Sequence, residues 1–114
     1  WHLIGLEVGM SVASVALRGE PTGVAIGWNA DVVAAAKRDL KPGDALDGEG
    51  GYTVWGKLLP SSKSVQLGGV PLGLAHDVKV IRPVPQGQVV TWADVAMDTT
   101  TRAYQLRMEL EALK

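Results

Sequence analysis

Arg38-Asp39-Leu40-Lys41-Pro42-Gly43-Asp44-Ala45-Leu46-Asp47 is echoed 44 positions later by Arg82-Pro83-Val84-Pro85-Gln86-Gly87-Gln88-Val89-Val90-Thr91. Each copy opens on an arginine, places an apolar residue two positions on, and reaches a glycine beside a proline-stiffened approach. Glycine there suits a turn that needs positive φ, and proline limits the backbone on the way in. Two copies are too few for a solenoid, which needs about three units to bury a continuous core. They suit a small β domain with an internal pseudo-two-fold, so residues 31–47 and 77–91 are predicted to share a backbone.

Working outward, Asp77-Val78-Lys79-Val80-Ile81-Arg82 is rich in β-branched residues and reads as strand. Its counterpart, Asp31–Asp39, holds alanines at 34–36 that favour helix by propensity. The repeat decides for strand in both. Tyr52-Thr53-Val54-Trp55 reads as a further strand after the glycine-rich run Asp47–Gly51, and Pro60–Ser64 as a loop. Residues 68–74 hold too many glycines and a proline for a helix interior.

The two ends differ from this middle. Val8, Val12, Val15 and Ala16 fall on one helical stripe over residues 6–18, although Gly9 costs about 1 kcal/mol relative to alanine. The helix stops at Gly19-Glu20-Pro21-Thr22-Gly23, and Val24, Ile26 and Trp28 alternate as in a short strand. At the other end Asp98-Thr99-Thr100-Thr101 offers N-caps to a helix of ~24 Å carrying Ala103, Leu106, Leu110 and Leu113 along one edge. The division is then 1–28, a helix and connecting strand; 29–97, the β core; and 98–114, an amphipathic helix. Val8, Val12, Val15, Leu106, Leu110 and Leu113 are candidate interface residues. The C-terminal helix is expected either to fold back on the β core or to pair with another domain or copy, with docking that involves the Val8, Val12 and Val15 stripe favoured.

With 114 residues a single small domain is expected. Eleven basic against twelve acidic residues, unsegregated, lack the electrostatic footprint of a nucleic-acid or anionic-membrane binder. The chain has no cysteine, so disulfides and thiolate metal sites are excluded. No apolar run approaches the ~20 residues needed to span a bilayer. The chain opens on Trp1, and it reads as a piece cut from a longer protein or as a mature product of one.

Signals for chemistry are sparse. Gly48-Glu49-Gly50-Gly51 departs from a dinucleotide loop because Thr53 stands at the third glycine's place and a strand follows. His76-Asp77 could begin a metal site, but the only other histidine is His2, and a structural role for His76 is the simpler reading. Lys37, Arg38 and Arg82 occupy related places in the two copies and could converge on an anion. Pairing with Asp39, Asp44 or Asp77 at the surface is the plainer alternative. Trp28, Tyr52, Trp55 and Trp92 are expected to supply core bulk rather than a carbohydrate-binding face. Lys37, Arg38, Arg82 and His76 therefore stand as weak ligand candidates, with no catalytic, cofactor or metal residue named.

The repeat, with Lys41-Pro42-Gly43 and its echo running on to Thr91-Trp92-Ala93-Asp94-Val95, resembles the SAF superfamily across roughly residues 29–97. That superfamily is named for sialic acid synthase, type III antifreeze protein and flagellar P-ring chaperones. The resemblance implies a mainly β chain built on a SAF-like β-clip, flanked by the two helices. His2–Glu7, Leu17–Gly23, Ala36–Leu40 and Asp47-Gly48-Glu49-Gly50-Gly51-Tyr52-Thr53-Val54-Trp55-Gly56-Lys57-Leu58 also resemble a group of bacterial NAD(P)-dependent oxidoreductases. These are labelled homoserine dehydrogenase-like and include enzymes similar to deoxyxylulose-phosphate reductoisomerase.

This closer resemblance implies a cytoplasmic, non-catalytic C-terminal domain that shapes the active-site cleft or a subunit interface. Its partners would be the parent's Rossmann and catalytic domains, with a homodimer as a further candidate. NAD(P) would belong to the parent, with no cofactor in this part. The alternative is a free sugar-acid or polysaccharide-binding module, or a secreted assembly chaperone of the P-ring type.

Overall fold

A computed structural model describes residues 3–113; Trp1, His2 and Lys114 lie outside the described residues. The elements run α1 (Ile4–Ala13), a π-helical turn (Ser14–Arg18), β1 (Ala30–Ala36), β2 (Ala45–Asp47), β3 (Val54–Pro60), α2 (Ser61–Leu67), β4 (His76–Val80), β5 (Val95–Ala96) and α3 (Arg102–Glu111). Short 3-10 turns at Leu72–Leu74 and Trp92–Asp94 complete it. The fold is mixed α/β, with two antiparallel sheets, β1-β3 and β2-β4-β5, rather than the mainly β chain expected.

The two copies of the repeat are locked together by reciprocal hydrogen bonds. Leu40 N–H donates to the Val84 carbonyl at 2.8 Å, and Val84 N–H donates back to Leu40 at 3.1 Å. Gly43 N–H donates to Val80 and Gly87 N–H to Ala36, both at 2.8 Å. Val80 N–H donates to Asp44 at 2.8 Å, and Ala36 N–H to Gln88 at 2.9 Å. Each bond is the image of another under a shift of 44 residues, so this ladder maps onto itself when the copies are exchanged. The outer neighbours follow suit: Ala36 lies opposite Val54 on β3, and Val80 opposite Val95 on β5.

The turn chemistry explains the glycines. Asp44 N–H closes on the Lys41 carbonyl at 3.0 Å, and Gln88 N–H on Pro85 at 3.1 Å. Gly43 and Gly87 sit third in these turns with φ of 94° and 80°. That is the pattern of a type II turn, where a side chain at the third position would be strained.

Ala34, Ala35 and Ala36 are wholly buried in β1. The alanine run is thus strand, as its echo requires, with long-range pairing and burial outweighing local helix propensity. The core is aliphatic, gathering Ala34, Ala36, Leu40, Leu46, Val54, Val70, Val78, Val80, Val84, Val90 and Val95. The aromatic side chains contribute little to it: Tyr52 is 87% exposed, Trp55 is exposed, Trp28 is half-buried, and half-buried Trp92 alone of the four packs against the core.

Three further expectations are corrected. Ser61–Leu67 is a helix, α2, where a loop was expected over Pro60–Ser64. It is closed by Gly68 in the left-handed region (φ 64°), with Gly68 N–H on Val65 and Gly69 N–H on Ser64, both at 3.0 Å. Residues 24–28 form neither strand nor helix.

Third, the end helices do not dock through their apolar stripes. Val8, Val12 and Val15 on α1 and its π turn are exposed, as are Leu106 and Leu113 toward the other end. α1 has no buried residue, and the radius of gyration is 17.3 Å, against ~13 Å for a compact domain of this size. No helix of the described residues is long and apolar enough to cross a membrane.

Candidate functional site

Two polar clusters stand out, one on the surface between the copies and one beneath α3. The first is built on the loop 48–53, which links β2 to β3. Asp47, the last residue of β2, turns its carboxylate into the loop and accepts from Tyr52 N–H at 2.6 Å and Thr53 N–H at 2.9 Å. The Thr53 hydroxyl also donates to it, while Asp47 N–H donates to Thr53 Oγ1 at 3.0 Å. The Thr53 hydroxyl first, then the two amides, hold this carboxyl down at about 2, below its ordinary 3.8.

The loop's glycines make room for this arrangement. A Cβ on Gly51 would lie 2.2 Å from the Asp47 carboxyl carbon. Gly48 has φ of 69°, and a Cβ there would lie 2.1 Å from His76 Nε2. The His76 ring therefore lies directly over Gly48, opposite the point where the β2–β4 register shifts between Leu46 and Asp47. Asp77, next to His76, takes a φ of 54°, which aspartate tolerates better than most residues.

The four residues singled out in the sequence are partly brought together. Lys37, just past β1, donates through Nζ to the Gly51 carbonyl, so Lys37 and His76 meet the same loop. Arg38 turns away to Asp44 at 2.9 Å and to the Asp39 carbonyl at 3.0 Å. Arg82 is exposed and forms no ion pair among the described residues. Lys37 and Arg38 are thus engaged inside the fold's own turns, and no group of three or more metal-ligating side chains occurs among the described residues.

The second cluster was not anticipated. Asp31, on β1, is buried and accepts from Arg107 Nη2 and from Ser64 Oγ, each at 2.5 Å. Arg107, buried on α3, also donates through Nε to Glu111 at 2.7 Å. Its guanidinium carbon stands 4.7 Å from the centre of the Trp28 ring. Burial alone would push the Asp31 carboxyl up, but the hydrogen bonds from Arg107 and Ser64 and the Arg107 charge carry it below its ordinary value. Burial likewise opposes the Arg107 charge, and Asp31 and Glu111 reverse that, raising its pKa.

The inward face of α3 is therefore Tyr104, Arg107, Met108 and Glu111, rotated away from the leucine edge. Tyr104 meets Trp92 edge-on with ring centres 5.5 Å apart. The one sequence signal for this face is the Arg107–Glu111 spacing of four, since Asp31 is 76 residues away.

The geometry of the first cluster yields a pH prediction. A carboxyl depressed in the fold stabilises it above its unfolded pKa, and that contribution is lost as pH falls through the folded value. The Asp47 contribution should thus be complete above pH 4 and lost toward pH 2. The Tyr52 and Thr53 amide resonances, followed from pH 5 downward, should shift with a midpoint near 2. A midpoint at the ordinary value of 3.8 would show the carboxylate to be solvated rather than held.

No known family's sequence model matches the chain, and comparison with curated proteins likewise gives no match.

Proposed function

We propose that the chain is a SAF-like β-clip domain belonging to the C-terminal part of a homoserine dehydrogenase-like NAD(P)-dependent oxidoreductase. In this reading the domain is non-catalytic and cytoplasmic. It shapes the parent's active-site cleft or a subunit interface, and its partners are the Rossmann and catalytic domains, with dimerisation through the exposed apolar stripes. The observation that supports it most is the reciprocal ladder about Leu40 and Val84, since interlocked related halves are what a β-clip requires. Exposed Ile4, Leu6, Met10 and Leu17 on α1 and its π turn support a partner domain, because apolar surface of that extent is rarely left wet.

In this reading NAD(P) belongs to the parent rather than to this domain. Calorimetric titration of the isolated chain with NADH and with NADPH is expected to give no saturable binding at micromolar cofactor. The coding sequence upstream of Trp1 decides the rest. A strand running into GxGxxG at a helix start supports the reading, whereas a secretory signal peptide there overturns it. Saturable cofactor binding by the isolated chain would place a nucleotide site here and overturn the non-catalytic assignment.

A further inference from the structure

The segment 19–29 leaves α1 and its π turn, crosses the surface without helix or strand, and enters β1. Two contacts fix its last turn to the core: Ser61 Oγ donates to the Trp28 carbonyl at 2.7 Å, and Ser61 N–H to the Asn29 carbonyl at 3.0 Å. A third comes from the far end of the chain, where the Arg107 guanidinium stacks on the Trp28 ring. The same guanidinium binds Asp31, three residues further along. An apolar groove of about 620 Å³ opens where these elements meet, lined by Ala25, Gly27, Trp28, Leu110 and Leu113. Its walls come from the arm, through Ala25, Gly27 and Trp28, and from Leu110 on α3 and Leu113 just past its end, so it exists only while both are in place.

We infer that α3 is a clamp on the N-terminal arm: one arginine, planar and many-handed, ties the docking of the C-terminal helix to the path of residues 24–29. Arginine suits this role where lysine does not. Its fork reaches Asp31 and Glu111 through different nitrogens while its flat face remains for the indole. Lysine would keep the charge but lose the second carboxylate contact and the stack. α1 carries its exposed apolar surface at the end of this arm, so the clamp sets where that surface is presented. Because such coupling is reciprocal, whatever frees α3 loosens the arm, and whatever frees Trp28 loosens α3 by the same factor.

The full chain allows both directions to be measured. Because it has no native cysteine, Val24→Cys and Lys63→Cys accept spin labels only at the chosen places. Pulsed electron resonance should give one narrow distance in this background, and a broadened distribution once Arg107→Lys is added. Hydrogen exchange supplies the reverse test. Trp28→Leu should speed exchange of the α3 amides about tenfold while β1 and β4 amides stay protected, and should add little on top of Arg107→Lys. An unchanged distance distribution in Arg107→Lys overturns the clamp, as does α3 exchange indifferent to Trp28→Leu or accelerated equally in both backgrounds. If Arg107→Lys loses β1 and β4 protection, the Trp28→Leu result decides alone: about tenfold faster α3 exchange upholds the clamp, and no change refutes it.

Discussion

Asp31→Leu is expected to destabilise the chain by about 3–5 kcal/mol, because it leaves Arg107 charged and buried without its carboxylate. Removing one member of a buried ion pair costs far more than the pair's net contribution, since the survivor keeps its desolvation penalty. Glu111 remains bonded to Arg107 Nε at 2.7 Å and should hold the loss toward the lower end. The Ser64 hydroxyl also loses the acceptor for its proton in this variant, keeping only the 3.4 Å bond it accepts from Arg107 Nη2, a smaller cost of about 1–3 kcal/mol. Adding Arg107→Met should then recover a large part of the loss, since apolar replacements of both charges are often neutral or stabilising. Urea denaturation of the two single variants and the double variant gives the comparison. If Asp31→Leu costs under 1 kcal/mol, the pair is hydrated in solution and behaves as a surface bridge.

Acid should act on the same pair. Asp31 is depressed in the fold, so its contribution is present above its ordinary value of 3.8 and is lost as pH falls through the lower folded value. Arg107 stays charged throughout that range and adds no pH dependence of its own. The Asp31 and Asp47 contributions disappear in overlapping acid windows. Asp31→Leu/Arg107→Met should therefore show a shallower acid dependence than the parent chain, with the Asp47 part remaining.

What could be read from the residues depended on the distance over which each determinant acts. The turns at Gly43 and Gly87 are local: a proline or its neighbours and a glycine at positive φ carry nearly the whole instruction, so the repeat was visible. Strand β1 was legible only through its echo, since three alanines carry no strand preference of their own and are strand because they are enclosed. The end of α2 was written at Gly68, but the helix is also fixed by Ser61 and Ser64, which bond to Trp28 and Asp31. Those contacts span 33 residues, and no window in the sequence reveals them.

The same reasoning accounts for α3. Three leucines and an alanine marked an apolar edge, and a helix considered alone would bury it. The core instead presents a buried carboxylate at Asp31, and that fixes the rotation, because a desolvated charge demands its counter-ion more strongly than a leucine demands cover. Lys37 and His76, two of the weak ligand candidates, both meet the loop 48–51: Lys37 Nζ donates to the Gly51 carbonyl and the His76 ring lies over Gly48. Arg38 and Arg82 occupy equivalent places in the repeat, yet only Arg38 found an acid, because Asp44 is replaced by Gln88 in the second copy.

Leu40→Ala is the second large effect expected. Leu40 is 1% exposed and stands where the two copies exchange backbone bonds with Val84. Truncating a buried leucine costs about 2–5 kcal/mol, depending on how far the surroundings collapse into the space. Collapse is hindered here, because Leu40 and Val84 are held by bonds in both directions, and Gly43 and Gly87 tie the turn of each copy to Val80 and Ala36 of the other. The upper half of that range is therefore expected. Val84→Ala removes less volume at the equivalent place and should cost less, while acting on the same ladder. The double variant should fall short of the sum, since both vacancies open onto one cavity between the copies. Hydrogen exchange at Gly43 and Gly87 provides the structural readout. Each single variant should speed exchange at both glycines together, because the bonds they donate close the same ladder from opposite ends. Acceleration confined to the mutated copy would mean that the two halves open independently, and that the repeat is two adjoining turns rather than one interlocked unit.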